Sequence, residues 1–219
     1  MKKNKIIIFL ILVLFVAGAG FSYYLYQRDL KPAAPSLYPS SLSSGSTATS
    51  KQEPQSQFTL PISNYKTGQT KKVFGQYITP ATSPVQPEKF TGYHTGVDIE
   101  QEQNDVNVPV FAISDGTVRF AGNVNGYGGV IIIEFSYQNQ TYTALYGHIR
   151  LLSAKASEGD KVTKGQQLAI LGTGNSSETD GERKHLHFAI HKGSSIEYRG
   201  YVQNKSELSN WLDPNIIIN

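Results

Sequence analysis

Lys184-His185-Leu186-His187-Phe188-Ala189-Ile190 is the stretch that decides the fold. Strand periodicity sends Leu186, Phe188 and Ile190 to one face and His185, His187 and Ala189 to the other. The first face is apolar and belongs to a core. The second presents two imidazoles roughly 6–7 Å apart along the strand. That spacing lets one ring bind a metal while the other reaches a water beside it, or lets both bind the metal. His191 shares the parity but lies about 13 Å further along, and reads as a surface histidine.

Gly92-Tyr93-His94-Thr95-Gly96-Val97-Asp98-Ile99 supplies an imidazole and a carboxylate with three residues between them. The glycines and β-branched flanks favour a turn entering a strand over a helical pair, with Val97 and Ile99 inward and Asp98 on the opposite face. In residues 141–148, Tyr142, Ala144, Tyr146 and His148 share a parity, and His148 ends a strand after Gly147. Residues 117–121 alternate, residues 130–135 form a β-branched run, and residues 141–146 alternate again after a turn at Asn139-Gln140. Residues 159–172 place glycine turns around two short strands. The expected domain is therefore mainly β, a compact antiparallel sheet of barrel-like form. One helix at most is expected, around residues 206–212, with Leu208, Trp211 and Leu212 on its apolar face and Pro214 stopping it.

The 219 residues contain no cysteine, which excludes disulfide scaffolds, Cys-ligated zinc, iron–sulfur sites, thiol nucleophiles and lipidated-Cys anchors within them. The net charge of +3 is unevenly spread. Residues 1–31 carry five basic side chains against Asp29, which leaves 15 basic and 16 acidic residues for the remainder. That remainder has no electrostatic footprint for nucleic acid.

Lys2, Lys3 and Lys5 precede an apolar run that starts at Ile6 and reaches Leu25, with Tyr23, Tyr24, Tyr26 and Arg28 at its outer end. This order predicts a cytoplasmic stub and a single-pass transmembrane helix within residues 1–30, with everything after it outside the cytoplasm. A signal peptide cleaved after Ala17-Gly18-Ala19 is the alternative and exports the chain equally. Residues 31–57, with eight Ser and four Pro, are expected to form a disordered tether. Residues 58–219 form the exported domain, with its core at about 73–192. A domain of that size folds without a structural metal, so a metal site in it reads as catalytic.

Two His and one Asp suit zinc in an open three-ligand site. A hydrolase built on such a site also needs a proton acceptor and an oxyanion donor, and two spare histidines meet that need. These residues resemble the lysostaphin-like, LytM-type zinc endopeptidases that cut peptides in bacterial peptidoglycan. The His94/Asp98 pair, Tyr146-Gly147-His148-Ile149 and His185-Leu186-His187-Phe188 match that family's three signatures in order, over about residues 73–192. The resemblance implies one Zn²⁺ held by His94, Asp98 and His187, with His148 and His185 flanking the water and the developing oxyanion. It implies cleavage in stem peptides or cross-bridges. A wall-binding regulator that activates another hydrolase is the rival. Residues 174–184 depart from the family's shorter turn, and Ala189 replaces an acidic residue often found there, which bears on groove shape and substrate choice. Tyr93, Tyr127 and Tyr146 are candidates for groove walls and equally for ordinary sheet packing. Residues 58–87 are a candidate latency segment closing over the groove, with Asn64 or another polar side chain at the open metal position.

Overall fold

The computed structural model describes residues 56–218; the expected membrane segment and most of the tether lie outside them. Twelve strands run in chain order: β1 Tyr77–Ile78, β2 Gly92–His94, β3 Gly96–Glu100, β4 Pro109–Phe111, β5 Gly116–Val124, β6 Gly128–Tyr137, β7 Gln140–Arg150, β8 Lys161–Val162, β9 Gln167–Leu171, β10 His185–Lys192, β11 Tyr201–Val202 and β12 Trp211–Leu212. All pairings are antiparallel. β1, β2 and β11 make a small sheet, and the other nine strands make the main one around β7, which pairs with β6, β10 and β9. The domain is mainly β, as the alternating runs require.

Apolar side chains pack on both faces of the main sheet. On one face Val97, Ile99, Ile131, Ile133, Tyr146, Leu186 and Phe188 join a large core. On the other, Val130, Ile132, Leu145, Ala189 and Trp211 join a smaller one with Tyr127. This two-sided burial explains why residues 130–135 read as a continuous apolar run rather than an alternating one. The expected faces of β3 and β10 are observed.

Three local expectations are corrected. The β6–β7 hairpin turns at Gln138-Asn139, both with positive φ (49° and 61°), one residue before the expected turn; this is the backbone a two-residue hairpin loop needs. Residues 206–212 are not a helix. A 3₁₀ segment, Lys205–Asn210, is capped by Asn204 and Glu207, and Trp211 and Leu212 then pair with β10 instead of continuing it. Among the described residues helical structure is limited to four 3₁₀ segments.

The third correction concerns His148. Parity places it on the core face with Tyr146, but β7 continues past it and is bulged there. Gly129 and Val130, adjacent on β6, pair with Ile149 and Gly147, so His148 is the extra residue, at φ 61°. The bulge turns its side chain away from the core. Gly129 permits it, because a Cβ there would collide with the Ile149 carbonyl.

Ahead of β2, Lys72 and Glu88 form a buried ion pair at 2.5 Å, with side chains 3 % and 2 % exposed. Ser83 Oγ and the Lys89 and Phe90 amides also donate to Glu88, and the pair fastens residues 79–90 to the domain. Burial raises the Glu88 carboxyl, but its bond from Lys72 and the amide of Phe90 outweigh that and hold it below its usual 4.5. A depressed folded-state value stabilises the fold above the unfolded value and is lost as pH falls through the folded one. Glu88→Gln is expected to lower stability at pH 7 by about 3–5 kcal/mol by stranding Lys72, and to flatten the pH dependence below about 4.5. Urea midpoints at pH 7 and pH 4 check both; equal slopes for variant and wild type would remove Glu88 from the account.

Candidate metal centre and active site

His94 ends β2, Asp98 is central in β3, and His187 lies on β10 directly opposite Asp98. Their donor atoms converge. Asp98 Oδ1 is 3.0 Å from His187 Nδ1 and 3.3 Å from His94 Nε2, and the two ring nitrogens are 3.1 Å apart. Among the described residues this is the one group of three or more such side chains that could hold a metal ion. A tetrahedral ion with bonds of about 2.0–2.1 Å needs donors roughly 3.3–3.4 Å apart, so the three edges fit zinc with only small movement. His187 Nε2 is buried without a partner among the described residues, and so is the nearby Tyr127 hydroxyl. With His94 Nδ1 facing the Val73 carbonyl at 3.2 Å, the His94 proton is assigned there and Nε2 is left free to ligate.

His185 and His148 complete a buried set of five polar side chains, each at most 4 % exposed. Their rings lie 4.2 Å apart. His185 Nδ1 faces the Arg183 carbonyl at 2.9 Å, which assigns its proton to Nδ1 and leaves Nε2 bare, 3.4 Å from Asp98 Oδ2. His148 Nδ1 has no partner among the described residues. Burial pulls His148 down to about 3, with the neighbouring His187 adding to the effect. Burial likewise holds His185 well below its ordinary value, only partly opposed by Asp98. Both rings are therefore neutral at pH 7 in the absence of a metal. Burial would raise Asp98, but the charge and hydrogen bonds of the surrounding imidazoles keep it well below the carboxylate range. Arg183 holds its outer oxygen.

Asp98, His148, His185 and His187 open onto a cavity of about 300 Å³. Its aromatic walls are Phe90, Tyr127, Tyr198 and Tyr201. Of the three tyrosines singled out by sequence only Tyr127 is there. Tyr146 is fully buried in the core, where its hydroxyl accepts from the Ile113 amide, and Tyr93 packs on Tyr77. Asn64 is bonded to Glu100 and Gln101 rather than to the cluster, so it does not occupy the metal position. His191 is half-buried against Trp211 and lies outside the cavity. Sequence reasoning missed Lys72, Tyr201 and Arg183. For Arg183 a signal existed, since residues 183, 185 and 187 share a strand parity.

The sequence pattern of peptidase family M23 matches residues 92–199, the segment that carries all five polar side chains. "Lipoprotein NlpD" of Yersinia enterocolitica is 36 % identical over 100 residues, covering 44 % of this chain and 92 % of that protein. The chain belongs to peptidase family M23. A second relative, "Lipoprotein NlpD/LppB homolog" of Pseudomonas aeruginosa, is 36 % identical over 112 residues, or 50 % of this chain. The match spans only 33 % of that relative's length. The catalytic domain of the antimicrobial peptidase lysostaphin from Staphylococcus simulans aligns over 66 % of this chain and 86 % of its own, at 25 % identity and a TM-score of 0.45.

Removing any one of three convergent donors opens the site. Asp98→Ala is expected to lose most zinc at limiting metal, whereas His185→Ala keeps near-stoichiometric zinc. Metal analysis of the purified full chain checks this, and undiminished stoichiometry in Asp98→Ala would show that the ion sits elsewhere.

Proposed function

We propose that this M23 protein is a zinc-dependent endopeptidase that hydrolyses peptide bonds in the stem peptides or cross-bridges of bacterial peptidoglycan. The carrying observation is the convergence of His94, Asp98 and His187 beside two further neutral, buried imidazoles on one cavity. His94, Asp98 and His187 are the ligands in this reading, and His148 and His185 the catalytic histidines. Zinc bound there supplies Lewis-acid polarisation of the scissile carbonyl and lowers the pKa of a water.

The chain's own residues do the rest. His185 accepts the nucleophile's proton at Nε2, the bare nitrogen, and the adjacent Asp98 carboxylate steadies the imidazolium that forms. His148 has no carboxylate partner, which suits it to donate a hydrogen bond to the developing oxyanion. His185 then returns its proton to the leaving amine. The aromatic walls hold the peptide and limit water. A regulator that merely binds wall and activates another hydrolase has no use for a complete donor set flanked by two spare imidazoles, which favours the enzyme.

For compartment, the reading is an outward-facing domain held by the apolar segment within residues 1–30 and carried on the tether of residues 31–57. The lysine flank and apolar length support it. Intact-mass measurement of cell-derived protein tests it: a chain starting at Gly20 would replace the anchor by a cleaved signal, with export retained.

Loss of one donor to a developing charge costs about 10²–10³ in turnover. His148→Ala and His185→Ala, loaded with zinc, are therefore expected to cut defined muropeptides at least about a hundredfold more slowly, with His191→Ala near wild type. Mass spectrometry of the digests measures this. Normal cleavage by zinc-loaded His148→Ala would remove it from the mechanism, and zinc lost from His185→Ala but kept by His187→Ala would exchange their roles.

A further inference from the structure

Residues 174–184, between β9 and β10, deliver a guanidinium to Asp98, a ligand in the reading above. Arg183 Nη2 donates to Asp98 Oδ2 at 2.7 Å and to Glu100 Oε1 at 2.5 Å, and its Nε donates to Glu100 Oε2 at 2.8 Å. The Arg183 side chain is 16 % exposed and those of Asp98 and Glu100 2 % and 9 %, so solvent screens the cluster little. The two oxygens of Asp98 have separate tasks. Oδ1 faces His94 and His187, and Oδ2 faces Arg183.

A carboxylate held at one oxygen alone turns freely about its terminal torsion, which is broad. Arg183, its guanidinium forked onto Glu100 through Nε and Nη2, removes that freedom with the single Nη2 bond to Oδ2 and leaves Oδ1 aimed at the ligand nitrogens. Glu100, two residues on and therefore on the same face of β3, holds the guanidinium from behind and offsets its charge beside a dication. Partners that orient ligands in this way commonly change metal affinity by about 10–100-fold when removed.

We propose that Arg183, clamped by Glu100, is a positioning residue that fixes the Asp98 carboxylate for metal binding, a proposal that rests on the zinc reading above. A charge effect alone predicts the opposite sign. Deleting a cation beside a dication strengthens binding, whereas losing the carboxylate's orientation weakens it.

Zinc affinity of the full chain, measured by competition with a chromogenic chelator, separates the two. Arg183→Ala is expected to bind zinc about 10–100-fold more weakly. Arg183→Lys keeps the charge without the planar fork and is expected to fall between the two. In Arg183→Ala/Glu100→Gln the net charge of the cluster equals that of the wild type, so a loss of at least about tenfold there reports geometry. The visible spectrum of the cobalt-substituted variants should shift with it, and near-UV circular dichroism reports folding. Wild-type affinity and spectrum in the folded double variant would overturn the proposal. If the alanine variants do not fold, wild-type affinity in Arg183→Lys does so. Asp98→Ala measured alongside separates the failures: unchanged affinity there sinks the ligand reading, whereas its loss with Arg183 variants unaffected sinks only the positioning role.

Discussion

The antiparallel register of β3 against β10 is the constraint on which the site depends. In that register His187 stands opposite Asp98, His185 opposite Glu100, and Phe188 opposite Val97. A slip by one residue would send the imidazoles into the core and the apolar residues into the cavity, because successive strand residues face opposite ways. Val97, Ile99, Leu186 and Phe188 forbid the slip by their place in the large core. Gly96 makes the pairing possible at its end, since a Cβ there would collide with the Phe188 carbonyl. The same apolar residues that stabilise the sheet thus determine which polar atoms meet on its other side.

What they meet in is nearly dry. Five polar side chains, four of them drawn from β2, β3 and β10 and the fifth from β7, are withdrawn from water, and buried polar groups are costly unless paired. The domain meets that cost unevenly. Arg183 and Glu100 satisfy the outer side of Asp98, and Lys72, Glu88 and Tyr201 form a second buried polar link beside it, with Lys72 Nζ donating to the Tyr201 hydroxyl at 2.9 Å. Unpartnered atoms remain at His148, His187 and Tyr127, on the cavity side. Stability is concentrated behind the ligands and withheld in front of them, where a functional site needs groups free to act.

How much of this was legible in the sequence depended on whether the period of two held. It held along β3 and β10, so the core faces and the ligand faces were readable from parity. It failed at His148, because a bulge inserts one residue and a count that assumes regular pairing comes out on the wrong face. Extended two residues upstream of His185, the same parity reaches Arg183. The expected helix failed for a different reason. Leu208, Trp211 and Leu212 have helical spacing, but Trp211 is drawn into the smaller core by pairing with β10, and tertiary packing overrides a weak local preference. Tyr146 shows the limit of residue type alone: its hydroxyl finds a backbone amide in the core, and nothing local distinguishes that from a groove wall.

Protonation links the fold to the chemistry. With His94 protonated at Nδ1 and Asp98 ionised, the three convergent atoms share a single proton, the one on His187 Nδ1 facing Asp98 Oδ1. A metal ion takes the place of that proton. It can leave, or it can move to His187 Nε2, an atom already buried and unpartnered, which then becomes a donor. Burial keeps His187 below its ordinary value even with Asp98 opposing, so at neutral pH there is no second proton to displace. A flexible peptide would first have to gather its ligands and shed their protons. Here the sheet has gathered them before any ion arrives.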